Sequence, residues 1–208
     1  MKKTMLIAVV AAGLISGIAA GIALRNKPEH QPLILSSATR FSQPRALPVF
    51  SLAVFNQSEF TGESLKGNWT LVFFGFTNCP DVCPTTLATL DRLIEIMKPV
   101  ENIKTPSVLF ISVDPMRDTP EKIRDYVQFF NPNFIGATAD TLTLQTLTRA
   151  MSVAYMYRPT EDANNYTVDH TSAVLLVDPD ARLHAIFSTP HKAADMATDL
   201  RKIIGAYN

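Results

Sequence analysis

Residues 70–86 read TLVFFGFTNCPDVCPTT, an apolar run that leads into a loop with two cysteines. The run from Thr70 to Phe76 is almost continuously apolar, which is typical of a strand buried on both faces. Beyond the loop, apolar residues recur at helical spacing, at Leu87, Leu90, Ile94 and Met97. The stretch therefore predicts a central strand, a loop and a helix. Both cysteines follow the carboxyl end of that strand, where open α/β sheets place their sites.

Strand and helix patterns alternate along the rest of the chain. Further strands are predicted at residues 50–55, 60–64, 107–113, 153–157, 172–177 and 183–187. Further helices are predicted after a cap at Asp118 or Thr119, over residues 142–151, and around Met196, Leu200, Ile203 and Ile204. This order predicts an α/β fold with a thioredoxin-like central sheet flanked by helices and an N-terminal hairpin at residues 50–64.

The composition excludes two broad classes of protein. Hydrophobic residues make up 47% and charged residues 18% of the 208 residues, which indicates a globular chain and not a disordered one. Lys plus Arg equals Asp plus Glu at 19 each, so the formal net charge is +0. Such a chain lacks the basic stripe that neutralises phosphates, and we expect no nucleic-acid partner.

The N-terminus carries a candidate membrane anchor. Lys2 and Lys3 precede an uncharged run from Thr4 to Leu24, which is long enough for a spanning helix of roughly 17–25 residues. The apolar region of a cleaved signal peptide is shorter, about 7–15 residues. We therefore favour one uncleaved transmembrane helix in the inner, cytoplasmic membrane, with the rest of the chain facing the periplasm. The small residues at 19–23 keep a cleaved signal peptide as the alternative.

Three regions follow from these patterns. Residues 1–25 are predicted to be the membrane anchor. Residues 26–47 are predicted to be a linker, because prolines recur there among polar residues. Residues 48–208 are predicted to form one thioredoxin-like domain, a length that suits a single hydrophobic core.

The spacing of the two cysteines favours a chemical role over a structural one. They lie four positions apart, and one small disulfide loop would stabilise a domain of this size little. Each directly precedes a proline, which disfavours helical dihedrals at the cysteine. We expect Cys79 in an ordered loop and Cys83 at or near a helix N-cap, with Pro84 as the first helical residue. Backbone amides and the helix dipole at that position favour a thiolate.

Three interpretations of the cysteine loop remain open from its residues. An oxidising compartment permits a structural disulfide. A redox-active pair and a soft-metal site are both better supported, since thiolates suit exchange chemistry as well as monovalent copper or zinc. Thioredoxin-type enzymes have two residues between their cysteines and this loop has three, which mildly favours the metal.

His170 is the candidate third ligand among four histidines. It lies in the loop that enters a predicted central strand, and in a thioredoxin-like fold that loop faces the cysteine loop. His30 lies in the predicted linker, His184 in a predicted edge strand and His191 at the start of the last helix. These three are expected to be structural or incidental.

Several charged residues lie close to the candidate ligands in sequence. Asp81 and Asp169 are both candidates for orienting a ligand. The alternative for Asp81 is that it turns the cysteine loop, and for Asp169 the favoured expectation is a solvated side chain. Asp114, Arg117 and Asp118 follow a buried strand and are interpreted as turn and cap residues, with a docking surface as the alternative.

Three segments resemble the Sco/SenC family, copper proteins that assist the assembly of cytochrome c oxidase. They are FFGFTNCPDVCPTTL at residues 73–87, SVDPMRDTPEKIRDYV at 112–127 and YTVDHTSAVLLVDPD at 166–180. The combination of Cys-Pro-x-x-Cys-Pro with a distant Val-Asp-His is specific. The resemblance implies a thioredoxin-like fold that holds copper through Cys79, Cys83 and His170.

The resemblance also implies a role. It indicates an assembly factor or metallochaperone that delivers copper to the dinuclear copper centre of a cytochrome c oxidase, or maintains the thiols of that centre. Its partners would be the copper-centre subunit of the oxidase and an upstream copper donor or thiol reductant.

Other functions remain as alternatives, so enzymatic activity stays open. The main one is a thiol–disulfide oxidoreductase that uses Cys79 and Cys83 as a redox pair without obligatory copper, with His170 tuning a thiol pKa. An anchored interaction module with a passive disulfide is a second. A peroxiredoxin-type peroxidase is disfavoured, because the loop lacks the Pro-x-x-x-Thr-x-x-Cys arrangement associated with that activity.

Overall fold

The computed structural model of the chain describes residues 33–57, 59–98, 104–160 and 166–207. Residues 35–208 form one unit, whose strands are β1 (Ala38–Ala46), β2 (Ser51–Val54), β3 (Phe60–Thr61), β4 (Thr70–Gly75), β5 (Ser107–Ser112), β6 (Ile135–Thr138), β7 (Tyr155–Pro159), β8 (Tyr166–His170), β9 (Val174–Val177) and β10 (Arg182–Phe187). Its helices are α1 (Gly62–Leu65), α2 (Val82–Met97), α3 (Pro120–Phe130), α4 (Thr141–Ala150) and α5 (Ala193–Gly205).

Strand β4 lies inside an eight-stranded sheet of order β1-β10-β9-β4-β5-β6-β2-β3. It pairs parallel with β5 and antiparallel with β9, and all six of its residues are buried. Both faces of the strand are therefore covered, as the apolar run at residues 70–76 predicts. Helix α2 packs against α5, while α3 packs against β6 and β2. The α/β prediction is confirmed.

The N-terminal hairpin is present but shorter than predicted. Ser51 pairs with Thr61 and Leu52 with Phe60 in an antiparallel β2–β3 pair. Residues 62–64, which were predicted to continue the second strand, instead form most of α1. The physical reason is a capping box, in which Thr61 and Ser64 exchange side-chain and backbone hydrogen bonds and start a helical turn.

Strand β1 differs from the prediction that residues 26–47 are a linker. It pairs antiparallel with β10, and its register shifts between Arg40 and Arg45, where Pro44 offers no backbone N–H. The buried carboxylate of Asp199 on α5 accepts hydrogen bonds from the backbone amides of Ser36, Ser37 and Ala38 at 2.6–3.1 Å. The polar sequence resembles a tether, but distant partners make it a strand.

Because β1 covers β10, His184 does not lie in an edge strand as predicted. It lies within the sheet between β1 and β9, and its side chain is buried. Strand β8 was predicted as a loop and instead forms a separate two-stranded sheet with β7, in which Tyr155 pairs with His170. Only Val168 of β8 is buried, so its sequence carries a weak strand signal.

In the described part of the chain, none of the helices has the length and apolar character required to cross a membrane. The predicted anchor at residues 1–25 and the first part of the predicted linker lie outside the described residues.

Candidate metal centre

Cys79 lies in the loop that leaves β4, as predicted. Its backbone N–H donates to the carbonyl of Phe76 at 3.3 Å, which closes a turn, and its side chain is half-buried. The backbone N–H of Thr77, two residues earlier, donates to the carboxylate of Asp118 at 2.8 Å. The loop is therefore anchored just before the first thiol.

Cys83 is the second residue of α2, two residues further into the helix than the predicted N-cap position. Asp81 is the N-cap, so Val82, Cys83 and Pro84 all belong to the first turn. Pro84 fits there because the first N–H groups of a helix have no intrahelical partner. The Cys83 thiol is buried, and its backbone N–H points to the Sγ of Cys79 at 3.4 Å. This amide stabilises negative charge on Cys79.

His170 is the last residue of β8, and its imidazole reaches the cysteines. Its Nε2 lies 3.3 Å from the Sγ of Cys83, although the two residues are 87 positions apart in sequence. Its Nδ1 lies 3.1 Å from the carbonyl oxygen of Thr171. A carbonyl only accepts, so Nδ1 carries the proton in the neutral ring, and Nε2 presents its lone pair to the thiols. The aromatic rings of Phe73 and Phe76 contact the imidazole edge-on, with centroids 6.0 and 5.9 Å away.

The two thiols differ strongly in their affinity for protons. The hydrogen bond from Cys83 is the largest cause that lowers the pKa of Cys79, to about 3, with smaller contributions from the backbone amides of Cys83 and Asp81. The same contact and burial raise the pKa of Cys83. The pair therefore shares one proton, with the charge on the more exposed Cys79 and the proton on the buried Cys83.

The structure brings together the three residues that were singled out as ligands. One donor atom from each of Cys79, Cys83 and His170 lies within 4.8 Å of the other two. His184 contacts Asp178 and His191 contacts the carbonyl of Ser172, so both are parts of the scaffold, as expected. His30 lies outside the described residues.

Neither candidate orienting carboxylate contacts a ligand side chain through a hydrogen bond in the described structure. Asp81 is exposed, and its carboxylate accepts from Thr85 at 3.5 Å. Its influence on the Cys79 pKa comes from its backbone amide. Asp169 is exposed and forms an ion pair with Arg158 at 2.5 Å, which agrees with the solvated role expected of it.

Gly75 is a site residue that the sequence pattern did not identify. It is the last residue of β4, and an added Cβ would lie 2.7 Å from the Sγ of Cys83. The only sequence signal is a glycine inside an otherwise apolar strand, which often marks a close approach of another group.

The donor set limits the chemistry of this centre. Two thiolates and one imidazole form a soft set that suits copper or zinc. The same half-exposed thiolate beside a buried thiol also suits disulfide exchange, because the first can attack and the second can resolve. Both functions need the cysteines reduced, and both are free thiols in the structure.

Comparison with known proteins adds independent information. The family model SCO1/SenC matches residues 39–205. The mitochondrial protein SCO1 homolog of Homo sapiens is 35% identical over 156 residues, which cover 73% of this chain and 52% of the human protein. This chain thus spans about half the length of that relative. The SCO2-like protein of Rickettsia conorii is 35% identical over 153 residues, covering 73% of this chain and 74% of the relative.

A solved structure matches most of the chain. The crystal structure of Arabidopsis thaliana ScoI with copper bound superposes with a TM-score of 0.73 at 33% identity, covering 77% of this chain and 99% of that one. The predicted thioredoxin-like arrangement of central sheet and helices is confirmed by this match.

Proposed function

Because this chain belongs to the SCO1/SenC family, we propose that it binds copper through Cys79, Cys83 and His170 and serves the assembly of a cytochrome c oxidase. The observation that carries the proposal is the convergence of two thiols and one imidazole nitrogen within 4.8 Å of one another. The two thiols come from one loop and the imidazole from a distant strand, so their convergence is a property of the fold. Copper is bound in the related ScoI structure.

Each ligand has a distinct part in binding. Cys79 is already a thiolate at neutral pH and binds without first losing a proton. Cys83 must release its proton, so copper binding is coupled to proton release and weakens in acid. His170 offers Nε2 because the carbonyl of Thr171 holds the proton on Nδ1. The bound metal is the cargo that the protein passes on.

The redox state of the cysteines controls this binding. Formation of a Cys79–Cys83 bond passes two electrons to an oxidised partner, releases the single proton held on Cys83 and removes both sulfur ligands. Of the three proposed ligands, the oxidised protein then keeps only the imidazole of His170. We propose that the reduced form transfers copper to the copper-centre subunit of the oxidase, after loading by an upstream copper donor and reduction by a thiol reductant.

A second function is favoured by the division of roles between the thiols. In a thiol–disulfide oxidoreductase, the Cys79 thiolate attacks one sulfur of a partner disulfide and displaces the other as a thiolate. Cys83 then loses its proton and attacks the Sγ of Cys79, which releases the second partner thiolate. The partner is reduced by two electrons and this chain is oxidised by two. The half-exposed thiolate and buried thiol suit this order of events.

The deciding experiment measures copper binding to the reduced full-length protein. Cys79→Ser, Cys83→Ser and His170→Ala are compared with wild type and with His191→Ala, whose imidazole hydrogen-bonds to the scaffold carbonyl of Ser172. We expect one copper per wild-type and control protein, and loss or strong weakening in the three ligand variants. Copper binding that is indifferent to all three substitutions would overturn the proposal.

The enzymatic alternative requires activity without copper. The reduced, copper-free protein is mixed with a peptide that contains one disulfide, and free thiols are counted. Turnover that persists in His170→Ala and stops in Cys79→Ser would support the oxidoreductase. Absence of reduction by wild type would exclude it.

We further propose that residues 1–25 anchor the protein in the inner membrane, with the copper-binding domain in the periplasm. The support is the long uncharged run at residues 4–24. Extraction of membranes with alkaline carbonate should leave the full-length protein in the pellet and release a variant that lacks residues 1–25. A full-length protein that is released would contradict the proposal.

A further inference from the structure

The turn between β5 and α3 contacts both segments that carry the proposed ligands. It contains two buried carboxylates, Asp114 at 0% exposed and Asp118 at 1% exposed. Burial of a charge is unfavourable unless it is paired and hydrogen-bonded. Each carboxylate meets this requirement by bonding to a different segment, or arm, of the site. Asp118 bonds to the cysteine loop, residues 77–83, and Asp114 bonds to the histidine arm, which is the β7–β8 pair that ends at His170.

Asp118 holds the cysteine loop. One of its oxygens accepts from the backbone N–H of Thr77 at 2.8 Å and from the hydroxyl of Ser112 at 2.6 Å. The other accepts from the Thr77 hydroxyl at 2.5 Å and from Lys122 Nζ at 3.1 Å. Thr77 is two residues before Cys79, so these bonds fix where the loop leaves the sheet.

Asp114 holds the histidine arm. It accepts from the hydroxyl of Tyr166 at 2.5 Å and from Arg117 Nε at 2.6 Å. Arg117 also donates to the carbonyl of Tyr166 at 2.8 Å and lies 3.6 Å above its ring. Tyr166 is the first residue of β8, the strand that ends at His170.

The histidine arm needs this support because β7 and β8 form their own two-stranded sheet. Among the described residues, neither strand pairs with a strand of the main sheet. A second bond, from the hydroxyl of Tyr157 on β7 to the carbonyl of Val113 at 2.7 Å, ties the arm to the same turn. The Ser112 hydroxyl, which donates to Asp118, also accepts from the backbone N–H of Asp114 at 3.1 Å, so the two carboxylates belong to one connected network.

We propose that Asp114 and Asp118 are positioning residues that set the separation between imidazole and thiols, Asp114 through His170 and Asp118 through the cysteine loop. The proposal rests on the copper-binding function proposed above and extends it to residues that do not touch the metal. The proposal predicts that substitutions of the two carboxylates act on different ligands. Removing the charge of Asp114 affects only the contribution of His170, whereas removing that of Asp118 affects the thiols.

The test is a set of double-mutant cycles on the full-length reduced protein. Asp114→Asn and Asp118→Asn are each made in the wild type and in His170→Ala, and copper affinity is measured by competition with a chelator. We expect Asp114→Asn to weaken copper about 10–100-fold in the wild type and to have no further effect in His170→Ala. Asp118→Asn should weaken copper in both backgrounds.

Asp178→Asn is the matched control. Asp178 is a fully buried carboxylate that is paired with Arg182. It follows Val177, which pairs with Thr70 at the start of β4, so it lies at the opposite end of the sheet from the cysteine loop. We expect its copper affinity to equal that of the wild type in both backgrounds.

A readout on the copper-free protein separates positioning from metal binding itself. Amide hydrogen exchange in β7 and β8 should accelerate in Asp114→Asn and stay unchanged in Asp118→Asn, whereas the Thr77 amide should show the reverse. If Asp114→Asn folds poorly, Tyr166→Phe removes one hydroxyl donor and keeps the ring, and the same arm should loosen.

Two outcomes would overturn the positioning role. One is an equal loss of copper affinity from Asp114→Asn with and without His170; the other is unchanged exchange in β7 and β8. If instead wild type and the three ligand variants bind copper alike, the proposed function fails, and the exchange measurement still decides whether the two carboxylates hold the two arms.

Discussion

A Cβ atom on Gly75 would lie 2.7 Å from the Sγ of Cys83, closer than non-bonded contacts of real side chains. The same atom would lie 2.8 Å from the Phe110 ring. Only a residue without a side chain lets the buried thiol lie directly against the end of β4. The glycine therefore belongs to the site through the space that it leaves.

Gly75→Ala should displace Cys83 and the Phe110 ring. We expect the free energy of unfolding to fall by about 1–3 kcal/mol, the usual cost of overpacking a core, and copper affinity to fall with it. Urea unfolding and chelator competition measure the two effects. The control is Gly205→Ala at the end of α5, where the added Cβ meets nothing within 4 Å. A Gly75→Ala protein as stable as this control would refute the steric role.

Alkylation of the copper-free protein should distinguish the two thiols. Because the pKa of Cys79 is lowered to about 3, its reaction with iodoacetamide should change little between pH 8 and pH 5. An ordinary thiol with a pKa of about 8.5 loses roughly tenfold in rate per pH unit there. Cys83 is buried and protonated, and should react only after unfolding.

The cause of the low pKa of Cys79 can be tested in the same assay. Its largest cause is the hydrogen bond from Cys83. In Cys83→Ala that donor is absent, so the pKa of Cys79 should rise and its alkylation should slow in acid. Mass spectrometry of the alkylated peptides locates the modification. If the alkylation rate of Cys79 in the wild type fell with a midpoint near pH 8.5, the assignment of the negative charge to Cys79 would be wrong.

Asp199→Asn should release the N-terminal end of β1. One oxygen of Asp199 accepts from the amides of Ser36, Ser37 and Ala38 and from the Ser37 hydroxyl. Burial opposes ionisation, but these donors outweigh it and lower the pKa of Asp199. The stabilising charge is therefore present at neutral pH and is lost as the pH falls through that lowered pKa. We expect a loss of about 1–3 kcal/mol at neutral pH, since bonds to a charged acceptor are replaced by neutral ones.

Limited proteolysis and urea unfolding measure this release. Cleavage should appear between residues 35 and 46 in Asp199→Asn. The control is Asp195→Asn, an exposed carboxylate on the same helix, whose stability should stay within about 0.5 kcal/mol of wild type. Equal protease resistance in both variants would show that pairing with β10 alone holds the strand.

His184 should make the domain sensitive to mild acid. Burial lowers the pKa of His184, and the nearby carboxylate of Asp178 only partly offsets this. Below a pH of about 6.5 the unfolded chain takes up a proton that the folded chain does not. The free energy of unfolding should therefore fall as the pH is lowered from 6.5, and His184→Gln should show a smaller fall.

Trp69, the single tryptophan of the chain, reports this transition. Its ring lies edge-on to His184 with centroids 5.2 Å apart. Urea unfolding followed by tryptophan fluorescence at pH 7.5 and pH 5.5 gives the two stabilities. The same loss of stability in wild type and His184→Gln would remove His184 as the cause.

Patterns within short segments predicted much of the fold. The apolar run at residues 70–76 and the helical spacing from Leu87 to Met97 correspond to β4 and α2, because burial on both faces or on one face leaves a local periodic signal. Strands β1 and β8 were missed for the converse reason. Both sequences are mostly polar. β1 pairs with β10, near the other end of the chain, whereas β8 pairs with the neighbouring β7 in a two-stranded sheet that buries only Val168 of β8.

Within the site, too, some residues have roles that local sequence does not predict. Asp114 and Asp118 have the sequence of a turn, and nothing in their neighbours indicates that one bonds to Tyr166 and the other to Thr77. Gly75 shows in sequence only as a break in an apolar run. Their functions depend on groups brought close by the packing of the domain.

By itself, the sequence determined the family resemblance, the central strand with its cysteine loop, and the identity of three candidate donors. Spacing along a chain constrains only what is near in sequence, because the backbone links neighbours directly. The 3.3 Å between Cys83 Sγ and His170 Nε2 was decided by tertiary structure, across 87 positions of sequence. That distance exists because the sheet holds the thiols at the end of β4, while a separate pair of strands, tied to the turn after β5, carries the imidazole to them.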